Sequence, residues 1–108
     1  MIIFYRSGLN RRVEDFAEGV DRYDQRVKKR MTEKECLYAA KMFYPAWKLV
    51  AVILRFDYWE IESINEDNDS QSCLTKAMCM LIVWTQRCPD RANLYNLTEA
   101  LKRLKIMQ

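Results

Sequence analysis

Histidine is absent from this sequence, and only two glycines and two prolines occur among its 108 residues. Without histidine, a serine or cysteine nucleophile lacks its usual general base, and two isolated glycines do not make a phosphate-binding loop. Few glycines and prolines also leave few of the tight turns that a sheet-rich fold requires. The composition therefore indicates helices, and we expect a chain that is not an enzyme.

Long apolar runs and closely paired cysteines are absent as well. The longest apolar run, from Ala77 to Trp84, is far shorter than the roughly 20 residues that span a membrane. The four cysteines have none of the paired spacings of a zinc site. They are Cys36, Cys73, Cys79 and Cys88. We expect no membrane span, no metal and no cofactor, and we interpret the cysteines as free thiols, which favours a cytoplasmic location.

What is present is a set of helical patterns, the first of which precedes Thr32. Apolar residues recur there at gaps of three or four, which predicts an amphipathic helix. They are Leu9, Val13, Phe16, Val20, Tyr23, Val27 and Met31. Thr32 and Glu35 then have the spacing of a capping box, which begins a new helix. We therefore expect an N-terminal helical extension at residues 1–31 and a helical bundle at residues 32–108.

Breakers and caps divide the bundle into helices. Pro45 disfavours helical backbone at the residue before it and suits the start of the next helix. Pro89 ends a long apolar helix, and Asp90 is predicted to cap the last one. The polar residues 65–72 are predicted to form a loop. The predicted helices are 33–43, 47–54, 57–64, 73–87 and one that begins at Asp90. The stretch 73–87 is predicted either as one helix or as a short helix that leads into a long apolar one.

Two stretches, WKLVAVILRFDYWEIESINED and LIVWTQRCPDRANLYNLTEALKRL, resemble the death domain. The resemblance runs from about Cys36 to Met107. The matching positions carry tryptophan, aliphatic and alanine side chains. They are Trp47, Val50, Ala51, Leu54, Ile61, Ile64, Leu81, Trp84, Ala92, Leu97, Ala100 and Leu101. The resemblance implies an all-α fold, an antiparallel six-helix bundle, to which this chain adds the N-terminal amphipathic helix.

The same resemblance implies a function in protein assembly. It describes a non-catalytic adaptor that builds oligomeric complexes through homotypic contacts in apoptotic or innate-immune signalling. The expected partners are other death-domain proteins, including copies of this chain. Within the family, the pattern is most similar to the adaptor that links death receptors to initiator caspases. Caspase-recruitment and death-effector domains share the bundle, so either subclass is an alternative.

Charge is segregated along the bundle. The stretch between Arg55 and Lys76 contains six carboxylates and no cation, whereas basic residues predominate after it. Such patches attract one another when copies or relatives meet. The stretch also contains tyrosine and tryptophan, the residue types enriched at binding hot spots. The predicted acidic half of the contact is Asp57, Tyr58, Trp59, Glu60, Glu62, Glu66 and Asp67. The predicted basic half is Arg87, Arg91, Lys102, Arg103 and Lys105.

The second predicted helix is apolar on nearly every side. Leu49, Val52 and Ile53 fall between its core positions, where a surface helix would carry polar residues. Such a helix needs cover on both sides. We expect this helix to be covered either by the apolar stripe of the N-terminal helix, through Val13, Phe16 and Val20, or by another molecule.

Nucleic-acid binding is a second class of function that the sequence raises. The N-terminal segment contains many cations: Arg11, Arg12, Arg22, Arg26, Lys28, Lys29 and Arg30. The same segment carries carboxylates that repel phosphate: Glu14, Asp15, Glu18, Asp21 and Asp24. Because these carboxylates oppose the electrostatic attraction on which such binding depends, we expect no nucleic-acid partner and no membrane partner.

Overall fold

The structure, a computed structural model, describes residues 29–107, without the side chain of Met107. Within that range it contains five α-helices and no extended strand. They are α1 (Glu33–Phe43), α2 (Trp47–Ile53), α3 (Tyr58–Asp67), α4 (Cys73–Arg87) and α5 (Leu94–Met107). A 3-10 turn, Tyr44–Ala46, joins α1 to α2. The all-α prediction is confirmed, while the count of six helices stays a prediction.

The predicted N-terminal helix lies almost entirely outside the described residues. Only its last residues, 29–31, are described, and they are not helical. Arg30 instead forms an isolated antiparallel bridge with Asn93, and the amide of Met31 donates to the carbonyl of Ala92 at 2.9 Å. Met31 is buried. The chain therefore enters the bundle beside the turn that joins α4 to α5.

Side-chain caps fix where three of the helices begin. The amide of Thr32 donates to Glu35 Oε1 at 2.9 Å, and the amide of Glu35 donates to Thr32 Oγ1 at 3.2 Å, as the sequence predicts. Asp57 and Glu60 form the same reciprocal box at the start of α3. Ser72 caps α4, which is one continuous helix. Such caps satisfy amides that have no partner inside the helix.

The last helix begins at a different residue from the predicted one. Asn93, rather than Asp90, is the cap, because its Oδ1 accepts the amide of Asn96 at 2.8 Å. The preceding residues form a turn in which the amides of Arg91 and Ala92 both donate to the carbonyl of Cys88. This turn delays the helix by three residues, since Asp90 lies inside it.

The third helix also ends later than predicted. α3 continues to Asp67, so the loop predicted at 65–72 begins after it. Asn68 closes the helix, since its Nδ2 donates to the carbonyl of Ile64 at 2.8 Å. An asparagine that satisfies a terminal carbonyl of the helix is a local stop signal.

The two tryptophans predicted to be in the core, Trp47 and Trp84, lie in one cluster. Trp47 is 3% exposed and Trp84 is 4% exposed, and both belong to the same buried cluster. Leu54, predicted as core, is only half-buried at the edge of that cluster. The other predicted core residues are buried: Val50, Ala51, Ile61, Ile64, Leu81, Leu97 and Leu101. Burial of each large side chain stabilises the fold by roughly 1.5 to 3 kcal/mol.

One stretch of the described residues, Glu33–Ile53, is long and apolar enough to cross a membrane by length and composition alone. Its apolar side chains are largely those of the core. Cys36, Phe43 and Trp47 are buried against the other helices, and 44% of the most apolar window lies inside the fold. Packing in the bundle therefore accounts for the composition of this stretch.

Candidate protein-interaction surfaces

An exposed aromatic pair stands at the start of α3. Tyr58 is 65% exposed and Trp59 is 76% exposed, so both side chains face solvent. Their rings meet edge to face, with centroids 5.2 Å apart and planes at 77°. Tryptophan is among the residue types most enriched at binding hot spots, and solvent exposure gives Trp59 no role in the core. The pair is therefore a candidate contact for another protein.

The acidic side chains near this pair already have partners within the fold. Asp57 and Glu60 cap α3 for each other, and Glu60 also forms an ion pair with Arg87. Glu62 lies 3.6 Å from the Nζ of Lys48. The structure thus joins Glu60 to Arg87, which the sequence places in opposite halves of an intermolecular contact. Their roles toward a partner stay predictions.

The acidic side chains at the other end of α3 differ in this respect. Glu66 and Asp67 lie in its last turn, which contains no basic residue, and Asp69 follows it. No cation pairs with these three carboxylates in the described part of the chain. The helix dipole makes negative charge unfavourable there. We refer to Glu66, Asp67 and Asp69 as the acidic end.

A groove rich in arginine runs between α2, α4 and α5. A depression of about 430 Å³ is lined by four arginines together with apolar side chains. Its lining residues are Ile53, Leu54, Arg55, Trp84, Arg87, Cys88, Arg91, Asn96, Glu99, Ala100 and Arg103. A second depression of about 440 Å³ shares Ile53, Arg55 and Arg103 with the first and extends it to Val52 and Ile106. We refer to the two together as the arginine groove.

Three of its four arginines have no carboxylate partner among the described residues. Arg87 pairs with Glu60, and its guanidinium lies 4.6 Å from the centroid of the Phe56 ring. Glu99, the groove's carboxylate, bonds to the Nζ of Lys102 at 3.1 Å. Arg55, Arg91 and Arg103 are exposed and form no ion pair with residues of the described range. The groove therefore presents an excess of positive charge.

Sequence reasoning missed Arg55. Its φ of 71° is in the left-handed region, and its amide donates to the carbonyl of Val52 while the amide of Phe56 donates to Ala51. These two bonds are those of a Schellman motif, in which the left-handed residue is usually glycine. Holding an arginine there costs about 1 to 2 kcal/mol. An arginine directly after an apolar helix, where glycine is expected, was the available signal.

The predicted basic residues divide into two groups. Arg87, Arg91 and Arg103 line the arginine groove, whereas Lys102 and Lys105 do not. The structure therefore brings three of the five predicted residues to one surface and adds Arg55 to them. The part of these residues in binding stays a prediction.

The outer side of α2 remains partly open within the described range. Val52 is 56% exposed, and Leu49 and Ile53 are half-buried. Val52 and Ile53 line the apolar end of the arginine groove, which α5 completes with Ile106. The side of α2 that we expect another segment or molecule to cover is therefore the side that lines the arginine groove.

All four thiols are unpaired, and they differ in exposure. Cys73 is exposed, whereas Cys36 is buried. Burial raises the pKa of the Cys36 thiol to about 11, and the nearby carboxylates of Glu35 and Glu33 act in the same direction. A thiol of that pKa stays protonated and unreactive at neutral pH.

Comparison with known families agrees with this architecture. The sequence model of the death domain matches residues 35–107, which is more than half of the chain. The chain therefore belongs to the death domain family, whose members are non-catalytic modules that bind other death-fold domains in signalling. No curated protein and no solved structure matches it.

Proposed function

We propose that this death domain is a signalling adaptor that assembles oligomers through a contact between its acidic end and the arginine groove of the next molecule. The observation that carries the proposal is the matched surplus of charge. Glu66, Asp67 and Asp69 have no cationic partner among the described residues, and Arg55, Arg91 and Arg103 have no carboxylate partner there. A neighbouring copy or relative supplies what each surface lacks.

The chemistry of the two surfaces favours such a contact. Guanidinium groups bind carboxylates through two parallel hydrogen bonds, which gives the pair both strength and orientation. Opposite potentials also steer the molecules together before they touch. Because two different surfaces meet, a growing assembly always keeps one free acidic end and one free arginine groove, and it extends beyond a dimer.

The proposed setting is apoptotic or innate-immune signalling in the cytoplasm. Membership of the death domain family supports a place in signalling, and four unpaired cysteines suit a reducing compartment. The similarity in sequence pattern to the adaptor that links death receptors to initiator caspases suggests a comparable linking role. A caspase-recruitment or death-effector subclass is the alternative, and binding to death domains rather than to those domains distinguishes it.

Charge reversal in the full chain tests the proposed contact. One variant carries Arg91→Glu and Arg103→Glu, and the other carries Asp67→Lys and Asp69→Lys. We expect each variant alone to stay monomeric in sedimentation velocity, because one of its two surfaces is repelled. Mixed together, the variants regain complementary surfaces, because the unchanged acidic end of the first faces the unchanged groove of the second, and the new lysines of the second face the new glutamates of the first. We therefore expect the mixture to assemble.

The control for this experiment is Lys34→Glu, which reverses an exposed charge on α1 away from both surfaces. It should assemble like the unmodified chain. Normal assembly of either double variant alone would refute the contact, as would a mixture that stays monomeric.

A further inference from the structure

We infer that residues 13–24 of the same chain occupy the arginine groove in the unassembled molecule, and that a partner must displace them. The properties of the groove and of residues 13–24 alone support this binding. Its consequence for assembly rests on the proposed function, because only then does the segment compete with an incoming acidic end.

Charge is the first reason for this assignment. Residues 13–24 contain five carboxylates and a single arginine. The groove offers Arg55, Arg91 and Arg103 without carboxylate partners in the described range. The rest of the N-terminal segment is dominated by cations, so this is the part of it that the groove attracts.

The pattern of apolar residues is the second reason. Val13, Phe16, Val20 and Tyr23 recur at gaps of three and four, which predicts one apolar stripe. The groove has an apolar end in which Val52 is 56% exposed and Ile106 is 83% exposed. A segment with carboxylates beside an apolar stripe fits a groove with arginines beside an apolar end.

Length provides a third reason. The groove follows α5 from Asn96 to Ile106, a rise of about 15 Å at 1.5 Å per residue. As a helix, residues 13–24 would be about 18 Å long by the same rise. The segment and the groove therefore match in length.

The point at which the chain enters the bundle is the fourth reason. The amide of Met31 bonds to Ala92, and Arg30 pairs with Asn93, so the chain arrives between Arg91 and Asn96 of the groove wall. The five residues 25–29 separate Asp24 from Arg30 and reach at most about 20 Å. A tether this short gives the segment an effective concentration on the order of millimolar at the groove.

Photo-crosslinking of the full chain tests the occupancy. Phe16 is replaced by p-benzoylphenylalanine, the chain is irradiated at a concentration where it is monomeric, and mass spectrometry locates the crosslink. We expect crosslinks within one chain to Val52, Ile53 or Ile106. The control places the same residue at Phe4, outside the segment, and should give no crosslink at these positions.

Two charge variants decide whether the groove holds the segment. The yield of the Phe16 crosslink should fall at least fivefold in the variant Arg55→Glu plus Arg103→Glu. It should fall equally in the variant Glu14→Lys plus Glu18→Lys, which changes no residue of the bundle. A crosslink that maps elsewhere, or that survives both variants, overturns the inference.

Assembly separates this inference from the proposed function. Removing the charges with Glu14→Gln, Glu18→Gln and Asp21→Asn should let the chain assemble at roughly one tenth of the usual concentration, because the competing segment is weakened. If the crosslink maps to the groove but no variant assembles, the occupancy stands and the proposed contact fails. If assembly occurs but is indifferent to the segment, the competition is refuted.

Discussion

The backbone conformation of Arg55 lowers the stability of the fold. The residue takes the left-handed backbone position after α2, where glycine would be more stable, and its side chain lines the arginine groove. Glu60, by contrast, stabilises the fold, because it completes the capping box of α3 and forms an ion pair with Arg87. Side chains that the fold does not need, or that strain it, are the better candidates for function.

Replacement of Arg55 by glycine should separate stability from binding. We expect Arg55→Gly to raise the free energy of unfolding by about 0.5 to 1 kcal/mol, because the strain is relieved and only part is offset by the freer unfolded chain. Assembly should weaken, since a guanidinium is lost from the groove. Urea unfolding and sedimentation measure the two effects, and Arg55→Lys, which keeps strain and charge, serves as the control.

Trp59 should matter for assembly and little for folding. Because the side chain is 76% exposed, Trp59→Ala should change the free energy of unfolding by less than about 0.5 kcal/mol. If the aromatic pair is a hot spot, assembly should weaken by about 2 kcal/mol or more, roughly thirtyfold. Trp84→Ala, in the core, should instead destabilise the fold by about 3 to 5 kcal/mol. Unchanged assembly by Trp59→Ala would show that the aromatic pair takes no part in assembly.

Cys36 should make stability depend on alkaline pH. The folded state raises the thiol pKa from 9.0 to about 11, so in this interval the unfolded chain loses a proton that the folded chain keeps. The stabilising contribution is complete below about pH 9 and is lost as pH rises toward about 11. The urea midpoint should fall over this range, and Cys36→Ala should fall less. Identical slopes for both proteins would contradict this assignment.

Among the helices, α3 has the least favourable distribution of charge. Its first turn contains a reciprocal capping box, which suits the positive end of the helix dipole, but its last turn carries Glu66 and Asp67 without a cation. The fold gains nothing from this arrangement. We interpret the acidic end as a surface kept for a partner.

Glu66→Lys should improve α3 while it impairs assembly. A cation in the last turn interacts favourably with the helix dipole, so the free energy of unfolding should rise by about 0.3 to 1 kcal/mol. Assembly should weaken because the acidic end loses charge. Glu33→Lys, in the first turn of α1, is the matched control, since it should lower stability by a similar amount and leave assembly unchanged. Assembly that strengthens in Glu66→Lys and weakens in Glu33→Lys would mean that it only follows stability, and would contradict a role for the acidic end.

Element boundaries show what local sequence can determine. Thr32, Pro45 and Asp57 act on their immediate neighbours, so the starts of α1, α2 and α3 were predictable. The start of α5 was not, because Asp90 has suitable cap chemistry but lies in a turn, and the incoming chain at Met31 bonds to that turn. Contacts between distant segments are invisible to a local pattern.

The candidate surfaces were also predictable only where they depend on local sequence. Segregated charge and the aromatic pair were evident in the sequence. The sequence did not show which of these charges remain available to a partner. Glu60 and Arg87 pair within the fold because α3 packs against α4. Arg55 was missed for the same reason, since only the folded turn places it beside Arg91 and Arg103.

At the scale of the whole molecule, the charge surpluses of the described residues lie on separate parts of one helical bundle. The acidic end follows α3, whereas the arginine groove is built by α2, α4 and α5. A contact between unlike surfaces does not close on itself unless the rotation happens to form a ring. We therefore expect assemblies whose size grows with protein concentration.

Such assemblies should be sensitive to salt. Raising the ionic strength from 0.1 to 1 M shortens the screening length from about 10 to about 3 Å, which weakens attraction between exposed charges. The assembled fraction should fall sharply, while the urea midpoint changes little because the core is apolar. Light scattering across a salt series measures the first quantity. Assembly that strengthens with salt would indicate an apolar contact instead.

The division of the three tryptophans between core and surface gives the molecule its own optical probe. Trp47 and Trp84 are shielded from water, and Trp59 alone faces it. Any red component of the native fluorescence therefore comes from Trp59, and an acrylamide quencher reaches that ring first. A protein that covers α3 will shift the emission to shorter wavelength without a label, whereas one that binds only elsewhere will leave the spectrum unchanged.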